Sequence, residues 1–268
     1  MTKSRIGALL GAVASLISVL TAGCGAAQAA DKLGIVLMHG LQGEPNAGPV
    51  KGFAASLDGA GYLLAQPEMC WSRTRVFDKS YLDCLAVVDI AIAKLRGQGA
   101  TMIVIAGMSM GGNAALGYGG MHDGLKGVIA LAPAPDPVQI ERNPTIAAGI
   151  QKAKDLIDAG KGDAAIDFDS VNGGHPITVH CTPKVFLSFY GDDSPARFPV
   201  NVARFKAPLL WVAGTSDPSQ KSGPDFAFAK APPNPLNRYV TVDSDHLGTP
   251  DAAKGAALAW LKDLLATK

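Results

Sequence analysis

One serine of the chain lies in a sequence typical of a reactive nucleophile. Ser109 is flanked by Gly107 and Gly111, and this motif directly follows the apolar run 102–106. By itself the pattern Gly-x-Ser-x-Gly carries little weight in a chain with 31 glycines. Its position between an apolar strand and a helix adds weight, because so sharp a turn leaves no room for a β-carbon two residues before or after the serine. We therefore predict that the Ser109 hydroxyl is a nucleophile.

A serine hydroxyl becomes a good nucleophile only when a base takes its proton, so a histidine must lie within its reach. The chain has five histidines. Four occupy positions that favour other roles, namely shaping a loop, ending a helix or standing in solvent (His39, His122, His175 and His180). His246 follows the last apolar run and precedes the final helical pattern. We expect His246 to be the base.

The histidine in turn needs a carboxylate that orients its ring. Asp217 stands just past the apolar run 209–213, on a different predicted loop from His246. A simpler role for Asp217 is that of a turn residue before Pro218. The rival carboxylates lie in a proline-rich interval or too close to His246 in sequence (Asp192, Asp193, Asp243 and Asp245). The predicted order of the three groups along the chain is Ser109, Asp217, His246.

Other chemistries find little support in the residue types. His175, His180 and Cys181 resemble metal ligands only faintly, since a fourth ligand is missing, and solvated loop histidines are the favoured interpretation. No glycine pattern of the kinds that cradle nucleotide phosphates occurs in the chain. We predict no metal and no cofactor.

The candidate residues must be positioned by strands and helices that alternate along the chain. Between the apolar runs lie helical patterns at 50–59, 81–96, after Ser109 and at 251–265. Continuously apolar strands are buried on both faces, which is typical of a parallel sheet covered by helices. The loops at the carboxyl ends of such strands carry the chemistry. The six predicted strands are 34–39, 62–65, 102–106, 128–131, 209–213 and 239–242.

The interval 134–206 breaks this alternation and is rich in proline. We interpret it as a helical, cap-like insertion over one end of the sheet, with a helix near 146–159. Residues 183–190 fit either a helix begun by Thr182 and Pro183 or an additional strand. A helix is favoured because Val185, Phe186 and Phe189 share one helical face.

The first 29 residues have the layout of a secretory signal peptide. Lys3 and Arg5 precede an apolar run at 6–20, which is too short to span a membrane. Ala27-Gln28-Ala29 fits a cleavage site, leaving a domain at 30–268. Lipid attachment at Cys24 is a competing but less favoured interpretation, because Thr21 stands where a larger aliphatic residue is usual. We expect a periplasmic or secreted protein.

Composition and cysteine usage agree with an exported globular enzyme. The chain is 48% hydrophobic and nearly neutral, with 24 basic and 23 acidic residues, which argues against nucleic acid or an anionic membrane as partner. In an oxidising compartment Cys70 and Cys84 are the plausible disulfide, although both could instead be small buried apolar residues. Cys181 is left as an odd, buried thiol.

These residues together resemble the α/β-hydrolase superfamily of serine hydrolases. The resemblance extends over about residues 33–265 and rests on His39-Gly40, the turn around Ser109, and Asp217 and His246 in the order of that family. It implies an oxyanion hole made by the backbone N–H groups of Leu41 and Met110, with Gln42 as the neighbouring candidate. The chain departs from the family pattern because the leading antiparallel strands are missing and the early loop is not a run of glycines.

The resemblance implies a serine hydrolase that cleaves a small carboxylic ester through an acyl-enzyme. Amide or thioester cleavage would use the same residues, and a catalytically idle binding protein is the alternative from another class. Trp71 and Gln42 are candidates for lining the substrate pocket, although a structural role for Trp71 is also plausible. No membrane span and no nucleic-acid partner are expected.

Overall fold

The computed structural model describes residues 1–2, 32–221 and 223–267. The predicted signal peptide, its cleavage site and Cys24 therefore lie outside the described residues, apart from the first two. Among the described residues, no helix is long and apolar enough to cross a membrane. Nor do they include a cluster of three or more His, Cys, Asp or Glu side chains that could hold a metal ion.

A six-stranded parallel sheet forms the centre of the described chain, with strand order β2-β1-β3-β4-β7-β8. The inner strands are buried along nearly their whole length, as their apolar sequences require. The predicted sheet is thus confirmed, and every predicted strand is within two residues of its observed bounds. The strands are β1 (Leu33–Met38), β2 (Leu63–Ala65), β3 (Met102–Met108), β4 (Gly127–Leu131), β7 (Leu209–Gly214) and β8 (Arg238–Val242).

Helices cover both faces of this sheet. Successive residues of a strand point to opposite faces, so that Val36 packs into one apolar cluster and Ile35 into the other. The predicted final helix is interrupted at Ala253. The helices are α1 (Val50–Gly59), α2 (Tyr81–Gly97), α3 (Met110–Met121), α4 (Pro137–Ile140), α5 (Pro144–Asp158), α6 (Pro183–Tyr190), α7 (Phe198–Val202), α8 (Thr249–Ala252) and α9 (Lys254–Ala266).

The segment 183–190 is a helix, as predicted, and its first turn shows why. The Thr182 side chain accepts a hydrogen bond from the Val185 N–H, and Pro183 occupies the first helical position, where its missing N–H costs nothing. Phe186 and Phe189 of this helix are buried. The face that the sequence marks as apolar is therefore the face that packs against the core.

The insertion between β4 and β7 is not entirely helical, which corrects the sequence-based description. It contains an antiparallel hairpin of β5 (Ile166–Asn172) and β6 (His175–Cys181). Its two-residue turn, Gly173-Gly174, has φ angles of +58° and +84°. Such a turn requires residues that tolerate positive φ at both positions, and glycine does so without strain.

Candidate active site

Ser109 lies at the sharp turn that joins β3 to α3, with a φ of +55°. The turn is tight because the chain passes very close to itself: a β-carbon added at Gly107 would collide with the backbone of Gly111. A β-carbon at Gly111 would collide with the backbone oxygen atoms of Met38 and His39. The two glycines that suggested the motif are therefore required by contacts on both sides of the serine.

Ser109, His246 and Asp217 form a continuous hydrogen-bonded chain. The His246 Nδ1 atom lies 2.7 Å from Asp217 Oδ2, and its Nε2 atom lies 2.9 Å from Ser109 Oγ. An ionised carboxylate only accepts hydrogen bonds, so Nδ1 carries the proton and Nε2 is free to accept the hydroxyl proton of Ser109. The arrangement can therefore remove the proton from Ser109 during nucleophilic attack.

The Asp217 carboxylate is buried and is held by the residues that follow it. Ser219 donates two hydrogen bonds to Oδ1, from its N–H at 2.9 Å and from its hydroxyl at 2.8 Å. Burial by itself raises the pKa of Asp217, but the hydrogen bond and charge of His246 and the bonds from Ser219 outweigh it, so the pKa lies below its ordinary value. The carboxylate therefore stays ionised beside the imidazole.

The rival carboxylates lie elsewhere. Asp192 pairs with Lys154 at 2.7 Å, and Asp193 is exposed. Asp243 accepts a hydrogen bond from Thr215, and Asp245 accepts one from the N–H of Gly248. Among the carboxylates of the described residues, Asp217 alone contacts the imidazole of His246.

Two backbone N–H groups beside Ser109 have no acceptor among the described residues. They belong to Leu41, in the loop after β1, and to Met110, the first residue of α3. The Gln42 N–H, by contrast, donates to the Trp71 carbonyl at 2.8 Å, so it is not free for a ligand. Of the two candidates in this loop, Leu41 is therefore the one with a free donor. We call residues 39–43 the oxyanion loop.

His39 belongs to the oxyanion loop and serves as a structural link rather than as a base. Its Nε2 atom accepts a hydrogen bond from the Met69 N–H at 3.1 Å, and its Nδ1–H donates to the Gly40 carbonyl at 2.8 Å. The bond from Met69 requires the neutral imidazole, because Nε2 can accept only when it carries no proton. Burial lowers the pKa of His39, which favours that neutral form.

Two cavities, of about 530 and 460 Å³, meet at Ser109. Leu41, Asn172 and His246 line both of them. The first is otherwise walled mainly by the inserted segment and the loop after β4, and the second by the oxyanion loop and the loop after β8. An ester could therefore extend on either side of the serine. Among the residues lining the first cavity are Pro133, Pro135, Ile140, Val171 and Tyr190.

The tip of the hairpin closes over the oxyanion loop. The Asn172 side-chain amide donates to the Leu41 carbonyl at 3.3 Å and to the Gln42 side-chain oxygen at 3.2 Å. Gln42 lines the second cavity, beside Ser109. Asn172 was not among the predicted site residues, although an asparagine followed by two glycines is a strong hairpin signal.

The structure does not place Trp71 in the pocket, contrary to one of the two roles considered for it. Its side chain is fully buried and lines neither cavity.

Ser219 was not among the predicted site residues. The sequence Asp-Pro-Ser is nevertheless typical of a turn in which the aspartate side chain accepts a hydrogen bond from the N–H group two residues later. Its contact with Asp217 depends on that turn.

The cysteines are arranged as predicted. Cys70 and Cys84 form a disulfide, with their Cα atoms 5.6 Å apart. Cys181 is a free, buried thiol, and burial raises its pKa to about 12, so it is not poised for reaction. His175 and His180 lie on the hairpin, where His180 pairs with Asp167.

No family model matches the chain, and no curated protein matches it in sequence. Solved structures do match. One, from work on the metagenome-derived lipolytic enzymes LipS and LipT, is 18% identical, with a TM-score of 0.63 over 87% of this chain and 94% of that one. The monoacylglycerol lipase of Paleococcus ferrophilus is 19% identical, with a TM-score of 0.63 over 86% and 94%.

Est1E from Butyrivibrio proteoclasticus is 16% identical, with a TM-score of 0.61 over 88% of this chain and 90% of that one. Identities this low support a statement about the fold alone. The six parallel strands, the helices on both faces and the likeness to these hydrolases over most of their length agree. The chain has the α/β-hydrolase fold.

Proposed function

We propose that the protein is a serine hydrolase that cleaves carboxylic esters through an acyl-enzyme. The observation that carries the proposal is the hydrogen-bonded chain from Asp217 through His246 to Ser109. Two free N–H groups beside the serine and two cavities that meet at it support the same conclusion. The structural neighbours described as lipases and esterases make an ester the first substrate class to test.

The proposed reaction begins when Ser109 Oγ attacks the ester carbonyl carbon and its proton passes to His246 Nε2. The negative charge that develops on the carbonyl oxygen is stabilised by the N–H groups of Leu41 and Met110. The intermediate then collapses to an acyl-serine, while the alcohol leaves with the proton from His246. A water molecule then attacks the acyl carbon while His246 takes one of its protons. The bond between that carbon and Ser109 Oγ breaks, His246 returns the proton to Ser109 Oγ, and the acid leaves.

Ser109→Ala tests the nucleophile directly. Alanine fits the same turn, so the variant should keep its fold but lose turnover of p-nitrophenyl esters and covalent labelling by a fluorophosphonate. Mass mapping of the labelled wild type should place the adduct on Ser109. Labelling of the alanine variant at the wild-type rate would identify another nucleophile, and an unlabelled wild type would favour an inactive binding protein.

The acyl-transfer class is tested with matched substrates. The same acyl group is presented as an ester, a thioester and an anilide, and kcat/KM is compared. We expect the ester to be preferred over the anilide, because its alcohol leaves more easily. A higher kcat/KM for the thioester would assign the protein to thioester hydrolysis with the same residues.

We also propose that the protein is exported and soluble. The basic and apolar layout of the first 29 residues supports this proposal, and so does the Cys70–Cys84 disulfide, which persists in oxidising compartments. Mass spectrometry of the secreted or periplasmic protein should find a mature N-terminus near Ala30. A diacylglyceryl group on Cys24 would instead identify a lipid-anchored protein.

A further inference from the structure

Besides its contacts with Asn172, the oxyanion loop is attached to residues 69–73, which we call the anchor segment. Its first two contacts converge on His39. The Met69 N–H donates to the His39 ring at 3.1 Å, and the Trp71 indole N–H donates to the His39 carbonyl at 2.9 Å. The ring and the backbone of His39 are thus both held from the same side, two residues before Leu41.

Two further hydrogen bonds hold the other end of the oxyanion loop. The Gln42 N–H donates to the Trp71 carbonyl at 2.8 Å, and the Arg73 N–H donates to the Gly43 carbonyl at 3.2 Å. Trp71 therefore bonds to the loop on both sides of Leu41, through its side chain and through its backbone. The Leu41 N–H is left without an acceptor between these fixed points.

The anchor segment is itself fixed by a covalent bond. Cys70, between the two residues that contact His39, forms the disulfide with Cys84 of α2. Cys70, Trp71 and Cys84 are fully buried. One disulfide and four hydrogen bonds thus connect the oxyanion loop to α2 through the anchor segment.

We propose that Trp71 and the Cys70–Cys84 disulfide are positioning groups that hold the Leu41 N–H in place to stabilise the transition state. This inference rests on the proposed ester hydrolysis. An oxyanion donor acts through its placement, and loss of one such donor typically lowers kcat by about 10²- to 10³-fold. A loosened donor affects the charged transition state more than the bound ester, so the effect falls on kcat rather than on KM.

The first test compares two tryptophan variants that remove equivalent groups. Trp71→Phe removes the indole N–H that bonds to His39. Trp260→Phe removes a buried indole N–H that donates to the Leu236 carbonyl at 2.7 Å, in the apolar cluster on the face of the sheet that packs against α1 and α9. Each variant loses a similar apolar area and one hydrogen bond to a backbone carbonyl, so a general structural effect should be alike in both.

We expect kcat per titrated active site to fall about 10- to 100-fold in Trp71→Phe, with KM within about twofold of wild type. In Trp260→Phe both constants should stay within about twofold, although both variants melt at a lower temperature. A boronic acid, which forms a tetrahedral adduct with the serine, should bind Trp71→Phe more weakly in proportion to the loss of kcat. If kcat is unchanged in Trp71→Phe, or falls equally in Trp260→Phe, the proposal is overturned.

The second test concerns the disulfide. Dithiothreitol transfers two electrons and two protons to the bridge, giving the thiols of Cys70 and Cys84, and is itself oxidised to its cyclic disulfide. We expect kcat to fall at least about fivefold on reduction, measured well below the melting temperature, and to recover on reoxidation. The double variant Cys70→Ala/Cys84→Ala should show the same lower kcat and no response to dithiothreitol.

Full activity in both the reduced wild type and the double variant would exclude the disulfide from this role. A response of the double variant to dithiothreitol would show that the reagent acts elsewhere, and would also contradict the proposal. Failure of the proposed function would be seen in a different measurement. In that case the oxidised wild type itself would show neither ester turnover nor fluorophosphonate labelling.

Discussion

Asp217 uses its two carboxylate oxygen atoms for different partners. Oδ2 faces the imidazole of His246, while Oδ1 accepts both bonds from Ser219. In Asp217→Asn an amide N–H would face Nδ1 and move the imidazole proton to Nε2, where it blocks proton transfer from Ser109. We expect kcat to fall by up to about 10⁴-fold with little change in KM, measured by steady-state kinetics on a p-nitrophenyl ester.

The rival carboxylates provide the controls for this prediction. Asp192→Asn, Asp193→Asn and Asp243→Asn should each stay within a few-fold of the wild-type kcat, because none of these side chains contacts the imidazole. Normal turnover in Asp217→Asn together with loss in one of the other three would show that a different acid orients His246.

For single residues, the sequence predicts those whose type and position are distinctive. It does not predict residues whose role depends on the direction in which a side chain points. A serine flanked by glycines, and a histidine after the last strand, stand out by type and position. The roles of Ser219 and Trp71 depend on where one hydroxyl and one indole N–H point, towards Asp217 and His39. Nothing in the residue types reveals those directions before the loops are placed.

The turn between β3 and α3 is the element that determines where Ser109 lies, and it tolerates no β-carbon at Gly107. A methyl group there would meet the backbone of Gly111, which cannot move without displacing the helix. Gly107→Ala should therefore lower the free energy of unfolding by at least about 1–3 kcal/mol and abolish most of the ester turnover. Urea unfolding and kcat measured on the same samples check both effects.

Gly97→Ala is the matched control for this change. Gly97 ends α2, its φ is not positive, and nothing lies within 4 Å of an added β-carbon. Alanine is favoured over glycine in a helix by roughly 0.5–1 kcal/mol, so this variant should be as stable as wild type or slightly more stable. Equal destabilisation by both substitutions would show that the turn is not tightly packed.

The sequence predicts strands and helices where one pattern is sustained: a continuous apolar run for a buried strand, or apolar residues that share one face for a helix. The apolar strands of the parallel sheet and the pattern of α2 meet that condition, and both were located closely. The hairpin of β5 and β6 was missed because its outer face is polar and because the prolines of the interval 134–206 suggested an irregular insertion. The alternation of apolar and polar residues in 166–168 and 177–181 and the pair Gly173-Gly174 were the available signals.

For the molecule as a whole, the disulfide closes a loop with a sequence separation of 14 residues. Closing a loop of that length in the unfolded chain stabilises the native state by about 3 kcal/mol. In a protein of this size that corresponds to a melting temperature roughly 6–12 °C higher. Scanning calorimetry of wild type with and without dithiothreitol, and of Cys70→Ala/Cys84→Ala, should show this difference.

A double variant with the same melting temperature as the oxidised wild type would contradict this account of stability. The expected loss of stability is separate from the expected loss of kcat, because kcat is measured at a temperature at which every variant remains folded. A bridge that stabilised the fold without positioning the oxyanion loop would change the first quantity and leave the second unchanged.

The pH dependence of global stability should reflect His39. Its native pKa is lowered because the ring is buried, and its Nε2 atom accepts the Met69 N–H only when unprotonated. In the unfolded chain the pKa returns to about 6.5. The unfolded chain therefore binds a proton that the native protein does not, and stability falls as the pH drops below about 6.5 towards the lower native pKa.

Asp217 acts in a more acidic range. Its native pKa is also lowered, so its contribution is present above the unfolded value of about 3.9 and is lost as the pH falls through the native pKa. The interval from about pH 7.5 to 5.5 therefore isolates His39 from Asp217. Where the unfolded chain binds one proton more than the native protein, the free energy of unfolding changes by at most about 1.4 kcal/mol per pH unit.

His39→Gln removes this proton-binding group and should flatten the dependence. Urea unfolding at the two pH values should show a smaller loss of stability in His39→Gln than in wild type, although the variant is less stable at both. His175 is exposed on the hairpin, so His175→Gln controls for the removal of any histidine. Between the two pH values this variant should lose as much stability as wild type does. An equal loss in all three proteins would mean that protonation of His39 does not cause the pH dependence of stability. The neutral His39 that the geometry requires would then have to be reconsidered.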